Sequence, residues 1–305
     1  MGIEHSITIR RCLGALISAA VVAVCVCAGV TMNLTTLYDV NFDHMGIRTF
    51  CMFTVNSNIL CGVGMMMLLP YTIDGLRERR FHLPNWMIDV LFAGVTAVGL
   101  TFLISLCILA PVKGFVLIFT GSRFFLHGVC PILAMIAFCY FIPSHVIALK
   151  ESVFAMLPVL LYAMVYYYMV EIRGPDNGGW DDFYGFFTRI PSWISLVSFM
   201  PLTFGIASFL RFLHNRNCLR VRKKTAELYE REYGGRDVRE QVVSIAGRTM
   251  LEENPHTIVI PVRLLENVRQ YGSGSLNTEE VCSLFLDTVL KRMKGQEEQE
   301  TISLQ

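Results

Sequence analysis

The chain has 305 residues, of which 53% are hydrophobic and only 17% are charged, and its mean hydropathy is +0.49. A soluble domain carries about 25% charged residues, so this composition excludes an ordinary water-soluble protein. The formal charge of +1 hides an uneven distribution, because the last 95 residues hold 15 of the 26 Lys and Arg and 14 of the 25 Asp and Glu. The sequence therefore predicts a membrane domain over residues 1–213 and a cytoplasmic, α-rich tail over 214–305.

Six apolar segments predict the fold of the membrane domain. A helix needs about 20 mostly apolar residues to cross a bilayer. The segments lie at about 11–33, 50–70, 86–109, 123–142, 152–170 and 190–212. The first is too long for a cleaved signal peptide and is interpreted as a retained signal anchor. We predict an all-α integral membrane protein with six transmembrane helices.

Charged residues beside these segments predict the orientation in the membrane. If the spans alternate, one side holds a basic set: Arg10, Arg11, Arg77, Arg79, Arg80, Lys150, Arg216, Arg220, Arg222, Lys223 and Lys224. The other side is mainly acidic: Asp39, Asp43, Asp176, Asp181 and Asp182. Because Lys and Arg accumulate in cytoplasmic loops, both termini are predicted to be cytoplasmic.

The second segment begins with the polar sequence FTVNSN, residues 53–58. If the helix enters from the extracytoplasmic side near residue 50, Thr54 lies about one turn deep. Ser57 and Asn58 follow one turn later on the same face, because positions three and four apart are neighbours on a helix. These side chains either form hydrogen bonds between helices, as such residues often do in membranes, or contribute to a polar site.

The fourth segment begins with RFFLHGVCP, residues 123–131. Pro111, Gly114 and Gly121 interrupt the preceding stretch, so the span is predicted to start near residue 123, with 112–121 as a re-entrant or interfacial piece. His127 then lies about one turn deep, level with Thr54. An ionisable residue inside a membrane is a functional candidate, although a buried histidine also bonds neighbours for structure alone. A neutral imidazole can act as a general base.

The fifth segment and the loop after it supply aromatic and hydroxyl groups. Tyr162 and Tyr166 lie one turn apart and can donate to an oxyanion, whereas Tyr167 and Tyr168 fit the aromatic belt at a membrane surface. The loop at 173–186 either covers an extracytoplasmic pocket or anchors the helix pair, and Trp180 and Tyr184 suit both roles.

The ten cysteines of the chain form no Cys-x-x-Cys pair and are interpreted as packing residues. Neither a metal nor a cofactor is expected.

The motifs FTVNSN, LHGVCP, LLYAMVYYYMV and GGWDDFYGF follow one another in this order within residues 10–212. Together they resemble the androgen-induced protein family of six-helix membrane hydrolases, and more closely its bacterial relatives of unassigned function. The resemblance implies a threonine hydrolase of lipid esters, notably fatty acid esters of hydroxy fatty acids, in a bacterial plasma membrane. It places the nucleophile at Thr54 and the catalytic histidine at His127. This chain differs from the animal members in its tail of about 90 residues and in its His127-to-Pro131 spacing.

A dyad without an acidic partner is expected, because Asp89 lies at the cytoplasmic end of the third segment. The residues expected to bind substrate are Ser57, Asn58, Arg123, Tyr162, Tyr166, Trp180 and Tyr184. The expected substrate is a lipid taken from the bilayer. The alternative is a non-catalytic lipid-binding sensor or a small-molecule transporter with a polar intramembrane pocket.

The sequence of the tail predicts further secondary structure but contains no catalytic or metal-binding motif. Residues 219–233 are helical in pattern, 256–262 form a short β-like run, and 276–293 form an amphipathic helix whose apolar face needs a partner. Self-association through the tail is one expectation. The basic cluster after the sixth span fits either anionic lipid headgroups or the orientation signal alone. Binding of nucleic acid is unsupported, since acidic residues nearly balance basic ones.

Overall fold

The computed structural model describes residues 3–35, 46–78, 81, 83–142, 146–189 and 191–233. Every regular element in these ranges is helical, which confirms the predicted all-α class for them. The chain divides into two compact units, Met1–Lys223 and Lys224–Gln305. The elements predicted at 256–262 and 276–293 lie outside the described residues.

Six long helices, α1 to α6, account for most of the described residues. Three begin and end as follows: α1 Ile3–Thr35, α2 Phe53–Glu78 and α6 Ser192–Tyr233. The other three contain π-helical turns: α3 Asn85–Val112 with a π-turn at Ser105–Leu109, α4 Phe124–Phe141 with π-turns at both ends, and α5 Leu149–Arg173 with a π-turn at Tyr168–Arg173. Short helices occupy Gly46–Cys51, Phe115–Ile118, Pro175–Asn177 and Phe186–Arg189.

All six predicted spans are confirmed as helices long and apolar enough to cross a membrane. The third ends at Val112 and the fourth begins at Phe124, close to the predicted start at residue 123. Two glycines separate them: Gly114 and Gly121 adopt φ angles of +94° and +59°, which side chains with a Cβ rarely allow. These glycines therefore end one helix and permit the turn into the next.

The sixth helix is longer than the predicted span. It continues without interruption to Tyr233, and the predicted helical structure of 219–233 is confirmed. The helix runs through residue 213, at which we expect the membrane domain to end. That domain boundary and the cytoplasmic module stay predictions.

Glycines set the spacing between the helices. A Cβ atom at Gly94 of α3 would lie 3.1 Å from the Cα atom of Cys61 in α2. A Cβ at Gly14 of α1 would lie 2.6 Å from the Phe141 ring of α4. Small residues at such crossings let membrane helices approach closely and gain van der Waals contact. This contact matters because lipid tails are as apolar as the side chains, so burial from lipid does not drive the helices together.

Replacing Gly94 with valine should destabilise the bundle by about 1–3 kcal/mol, because the new side chain meets backbone atoms that cannot rotate away. The measurement is thermal unfolding of the full-length protein in detergent. Gly205 of α6 is the matched control, since a Cβ there meets no atom within 4 Å. Equal melting temperatures for Gly94→Val and Gly205→Val would contradict the tight crossing.

Side-chain hydrogen bonds to backbone carbonyls hold α6 and α1 to the end of α4. His214 Nδ1 donates to the Phe138 carbonyl at 2.8 Å, and an Arg11 amino group donates to the Ile142 carbonyl at 3.0 Å. Asn215 exchanges two hydrogen bonds with the backbone of Ile147. Nine cysteines lie in the described residues, all free, and six of them are buried, as expected of packing residues.

Candidate functional site

The candidate site lies where the loop between α5 and α6 meets the first turn of α2. The loop leaves α5 through a tight turn in which Gly174 and Gly178 adopt positive φ angles of +69° and +78°. A side chain at Gly179 would collide with the carbonyl oxygen of Met169, so this position also needs glycine. The Trp180 N–H donates to the same carbonyl at 2.9 Å, which turns the loop back against α5.

The carboxylate of Asp182 fixes the second half of the loop. Its Oδ1 accepts hydrogen bonds from the Tyr166 hydroxyl at 2.8 Å and from the Phe186 N–H at 3.1 Å. Its Oδ2 accepts from the Phe187 N–H at 2.9 Å. Asp182 therefore satisfies the first amides of the short helix Phe186–Arg189 and ties this helix to α5.

Tyr166 lies at the centre of an aromatic cluster. Only 3% of its surface is exposed, and six other rings have their centroids 5.2–6.4 Å away. They belong to Tyr162, Trp180, Phe183, Tyr184, Phe186 and Phe187. Aromatic pairs at such distances add about 0.5–1.5 kcal/mol each beyond the area that they bury. The cluster therefore packs the loop firmly over the end of α5.

Tyr184 connects the loop to the predicted nucleophile. Its hydroxyl oxygen accepts a hydrogen bond from the Phe53 N–H at 2.9 Å, and the Thr54 hydroxyl lies within hydrogen-bonding reach of the same phenol. Burial raises the pKa of Tyr184, and its hydrogen bonds with Thr54, Phe53 and Tyr162 only partly oppose this effect. The phenol is thus neutral at neutral pH and can share hydrogen bonds with Thr54.

A pocket opens beside Thr54, with a volume of about 620 Å³ when its open mouth is included. Fifteen residues line it, and they fall into three classes. The hydroxyl residues are Thr54, Thr101 and Ser105, the aliphatic ones are Leu100, Ile104, Leu109, Val159 and Ala163, and the aromatic ones are Phe53, Tyr162, Tyr166, Tyr184, Phe186, Phe187 and Phe199. The structure thus brings four predicted site residues together here: Thr54, Tyr162, Tyr166 and Tyr184.

Two pocket hydroxyls were absent from the predicted site. Thr101 and Ser105 lie one turn apart on α3 and both line the pocket. The signal for them was present in the sequence, because two hydroxyl residues four positions apart share one face of a helix. Asp182 was likewise considered only as an acidic residue that indicates orientation, although its carboxylate holds the loop in place.

Ser57 and Asn58 are not among the residues that line the pocket. The Ser57 hydroxyl lies 3.1 Å from both the Thr54 carbonyl oxygen and the Thr101 hydroxyl oxygen. The Asn58 amide donates to the Thr54 carbonyl at 2.7 Å and to the Leu126 carbonyl of α4 at 2.9 Å. These bonds connect α2 to α3 and α4, which is the interhelical role that we considered as the alternative for these residues.

His127 is buried in α4, with 8% of its surface exposed, and it does not line the pocket. It follows Leu126, whose carbonyl receives the hydrogen bond from Asn58. The helices that carry Thr54 and His127 therefore contact each other one turn below Thr54. The His127 Nδ1 atom has no hydrogen-bond partner within the described residues. Unpaired buried nitrogens are rare in folded proteins, which marks His127 as a functional candidate.

The two remaining predicted site residues, Trp180 and Arg123, do not line the pocket. Trp180 packs its ring 6.2 Å from that of Tyr166, outside the pocket lining. Arg123 directly precedes α4 and is also outside the lining. Across the ranges that the structure describes, no three His, Cys, Asp or Glu side chains are grouped to hold a metal ion.

Neither a family model nor a curated protein nor a solved structure matches this chain. Its function therefore has to be inferred from the residues of the pocket and their surroundings.

Proposed function

We propose that this protein is a membrane-embedded hydrolase of lipid esters, with Thr54 as the nucleophile and His127 as the general base. One observation carries the proposal. The side chain of Thr54 lies in the wall of a pocket whose other lining groups are aromatic rings, aliphatic side chains and hydroxyls. Such a pocket suits the acyl chain of a lipid. An ester bound there would have its acyl chain beside the Thr54 hydroxyl, which can attack the ester carbonyl.

The reaction consists of two acyl transfers. The Thr54 oxygen attacks the ester carbonyl while its proton passes to the base, and collapse of the tetrahedral intermediate releases the alcohol with that proton. The acyl group is then bound to Thr54 as a new ester. Water attacks this ester, the C–O bond to Thr54 breaks, the fatty acid leaves, and Thr54 regains its proton.

His127 directly follows Leu126, whose carbonyl accepts a hydrogen bond from Asn58, one turn after Thr54 in α2. Its unpartnered Nδ1 is the kind of atom that a general base requires. Because the imidazole is not part of the pocket lining, the proton has to pass between α2 and α4, directly or through one water.

We assign the oxyanion role to the Tyr184 hydroxyl. The other predicted donors are already engaged: Ser57 and Asn58 donate to the Thr54 carbonyl, and Tyr162 donates to the Cys51 carbonyl at 2.7 Å. Tyr184, by contrast, accepts its hydrogen bond from Phe53 and lies next to Thr54. A hydrogen-bond donor aimed at the developing negative charge typically stabilises the transition state by about 3 kcal/mol.

The resemblance to the androgen-induced protein family and the basic residues complete the proposal. Fatty acid esters of hydroxy fatty acids are the substrate class that the resemblance implies. The distribution of Lys and Arg supports cytoplasmic termini. The bacterial plasma membrane is what the resemblance implies. The tail after the sixth span is proposed as an α-rich cytoplasmic module through which the protein self-associates.

A second candidate is a non-catalytic lipid-binding protein, either a sensor or a small transporter. The observation that favours it is the position of His127, which is not among the residues that line the pocket with Thr54. A pocket with hydroxyls but without a base beside them can bind a lipid without cleaving it.

Release of fatty acid from long-chain esters, measured by mass spectrometry with the full-length protein in nanodiscs, separates the candidates. For a hydrolase, His127→Gln should lower turnover by at least about 100-fold, because general-base catalysis contributes at least that factor. His214→Gln is the control, since His214 is also buried but bonds the Phe138 carbonyl. Lipid binding without fatty acid release in the wild type, or equal turnover of both variants, contradicts the proposed mechanism.

A further inference from the structure

The pocket beside Thr54 contains no charged side chain among the 15 residues that line it. None is Lys, Arg, His, Asp or Glu, so neither an anionic nor a cationic headgroup finds a formal counter-charge in the lining. Taking an unpaired charge out of water into such surroundings is costly, whereas an ester group needs only hydrogen-bond donors. The lining therefore favours a ligand without net charge.

The carboxylate of Asp182, which is bonded to lining residues, also disfavours an anion in the pocket. Asp182 bonds to three groups that belong to lining residues: the Tyr166 hydroxyl, the Phe186 N–H and the Phe187 N–H. Its negative charge repels an anion in the pocket and attracts a cation, but the lining residues that separate it from the ligand weaken both interactions, so it does not replace a counter-charge in the lining.

Three of the lining hydroxyls, those of Thr101, Tyr162 and Tyr166, donate to protein acceptors. The remaining lining hydroxyls belong to Thr54, Ser105 and Tyr184, while aliphatic side chains and phenylalanine rings form the rest of the lining. This distribution matches a molecule with one small polar group and long apolar parts, as in an ester between a fatty acid and an alcohol.

We propose that the pocket selects uncharged ester lipids and excludes the charged group of any acyl lipid. This inference rests on the proposal that the pocket is the substrate site, but not on its catalysing hydrolysis. It narrows the substrate class: a fatty acid ester of a hydroxy fatty acid carries a carboxylate, which then has to remain outside the pocket. Neutral esters such as acylglycerols and esters of long-chain alcohols carry no such group.

Quenching of tryptophan fluorescence by brominated lipids tests the selectivity without any turnover. The chain has three tryptophans, and only Trp180 packs on a ring of the pocket, that of Tyr166. Trp86 and Trp193 are 50% and 65% exposed on the helices. The double variant Trp86→Phe/Trp193→Phe of the full-length protein therefore reports on the pocket. The variant Trp86→Phe/Trp180→Phe, with Trp193 alone, reports on partition of the probe into the lipid.

Three probes share one dibromostearyl chain and differ only in the head: an N-methylamide, a sulfonate and a trimethylammonium group. The amide cannot be hydrolysed as an ester, and the two charged heads keep their charge at every accessible pH. The quenching of Trp180 is divided by the quenching of Trp193, which corrects for partition of each probe into the lipid. The amide should then quench Trp180 at concentrations at least about tenfold lower than either charged probe. Equal or tighter binding of the sulfonate or the ammonium probe overturns the proposal, as does the absence of saturable quenching by all three. Hydrolysis assays remain independent, so a selective pocket without turnover refutes only the hydrolase.

Discussion

Replacing Thr54 with alanine is expected to lower ester hydrolysis by at least about 1,000-fold, because it removes the hydroxyl on which the proposed acyl intermediate forms. Thr54→Ser should retain measurable turnover, since it keeps the hydroxyl and loses only a methyl group. The first turn of α2 should remain intact in both variants, because the Phe53 N–H still donates to Tyr184. The measurement is the release of fatty acid by purified protein in nanodiscs.

Thr101→Ala is the matched control for the Thr54 variants. Thr101 also lines the pocket, but its hydroxyl donates to the Ala97 carbonyl at 3.2 Å and contacts Ser57. Its loss should therefore affect stability more than turnover. Turnover in Thr54→Ala at the level of Thr101→Ala would show that Thr54 is a packing or binding hydroxyl and would favour the lipid-binding candidate.

Replacing Asp182 with alanine is expected to release the loop between α5 and α6 from the pocket. The change removes three hydrogen bonds to one carboxylate and leaves the Phe186 and Phe187 amides and the Tyr166 hydroxyl without their acceptor. Hydrogen bonds to charged groups contribute about 1.5–3 kcal/mol each, so the loss should reach about 3 kcal/mol or more. The melting temperature should fall, and trypsin should cleave faster at Arg173, which precedes the loop.

Asp181→Ala is the control for this prediction, because Asp181 is exposed and adjacent in sequence. It removes the same charge from the same loop without removing the hydrogen bonds of Asp182. Equal melting temperatures and equal rates of cleavage in the two variants would mean that the aromatic cluster alone holds the loop, and that the carboxylate contributes nothing.

The membrane helices could be predicted from the sequence because they depend on local composition. Each of the six predicted spans is an apolar helix in the structure, and the break before the fourth follows from glycines that the sequence displays. The ends of the helices were less predictable from the sequence. The sixth helix continues into a polar region up to Tyr233, because a helix needs no apolar side chains once it has left the membrane.

The site could be predicted only in part, because the partners of its side chains come from distant segments. Periodicity places Thr54 and Asn58 on one face of α2, but it cannot show that the Asn58 amide donates to a carbonyl of α4. Nor can it show that the Tyr184 hydroxyl reaches back to Phe53, a contact between residues 131 positions apart. The pocket therefore contains the predicted threonine and tyrosines, while Ser57 and Asn58 bond neighbouring helices instead.

The most direct test of the central claim is the site at which a fluorophosphonate probe labels the full-length protein in membranes. Mass spectrometry of the digested protein should find the phosphonyl adduct on Thr54, the adduct should disappear in Thr54→Ala, and its rate of formation should fall strongly in His127→Gln. An adduct on any other residue, or an unlabelled protein that still binds neutral lipids in the pocket, would contradict the assignment of Thr54 as a nucleophile.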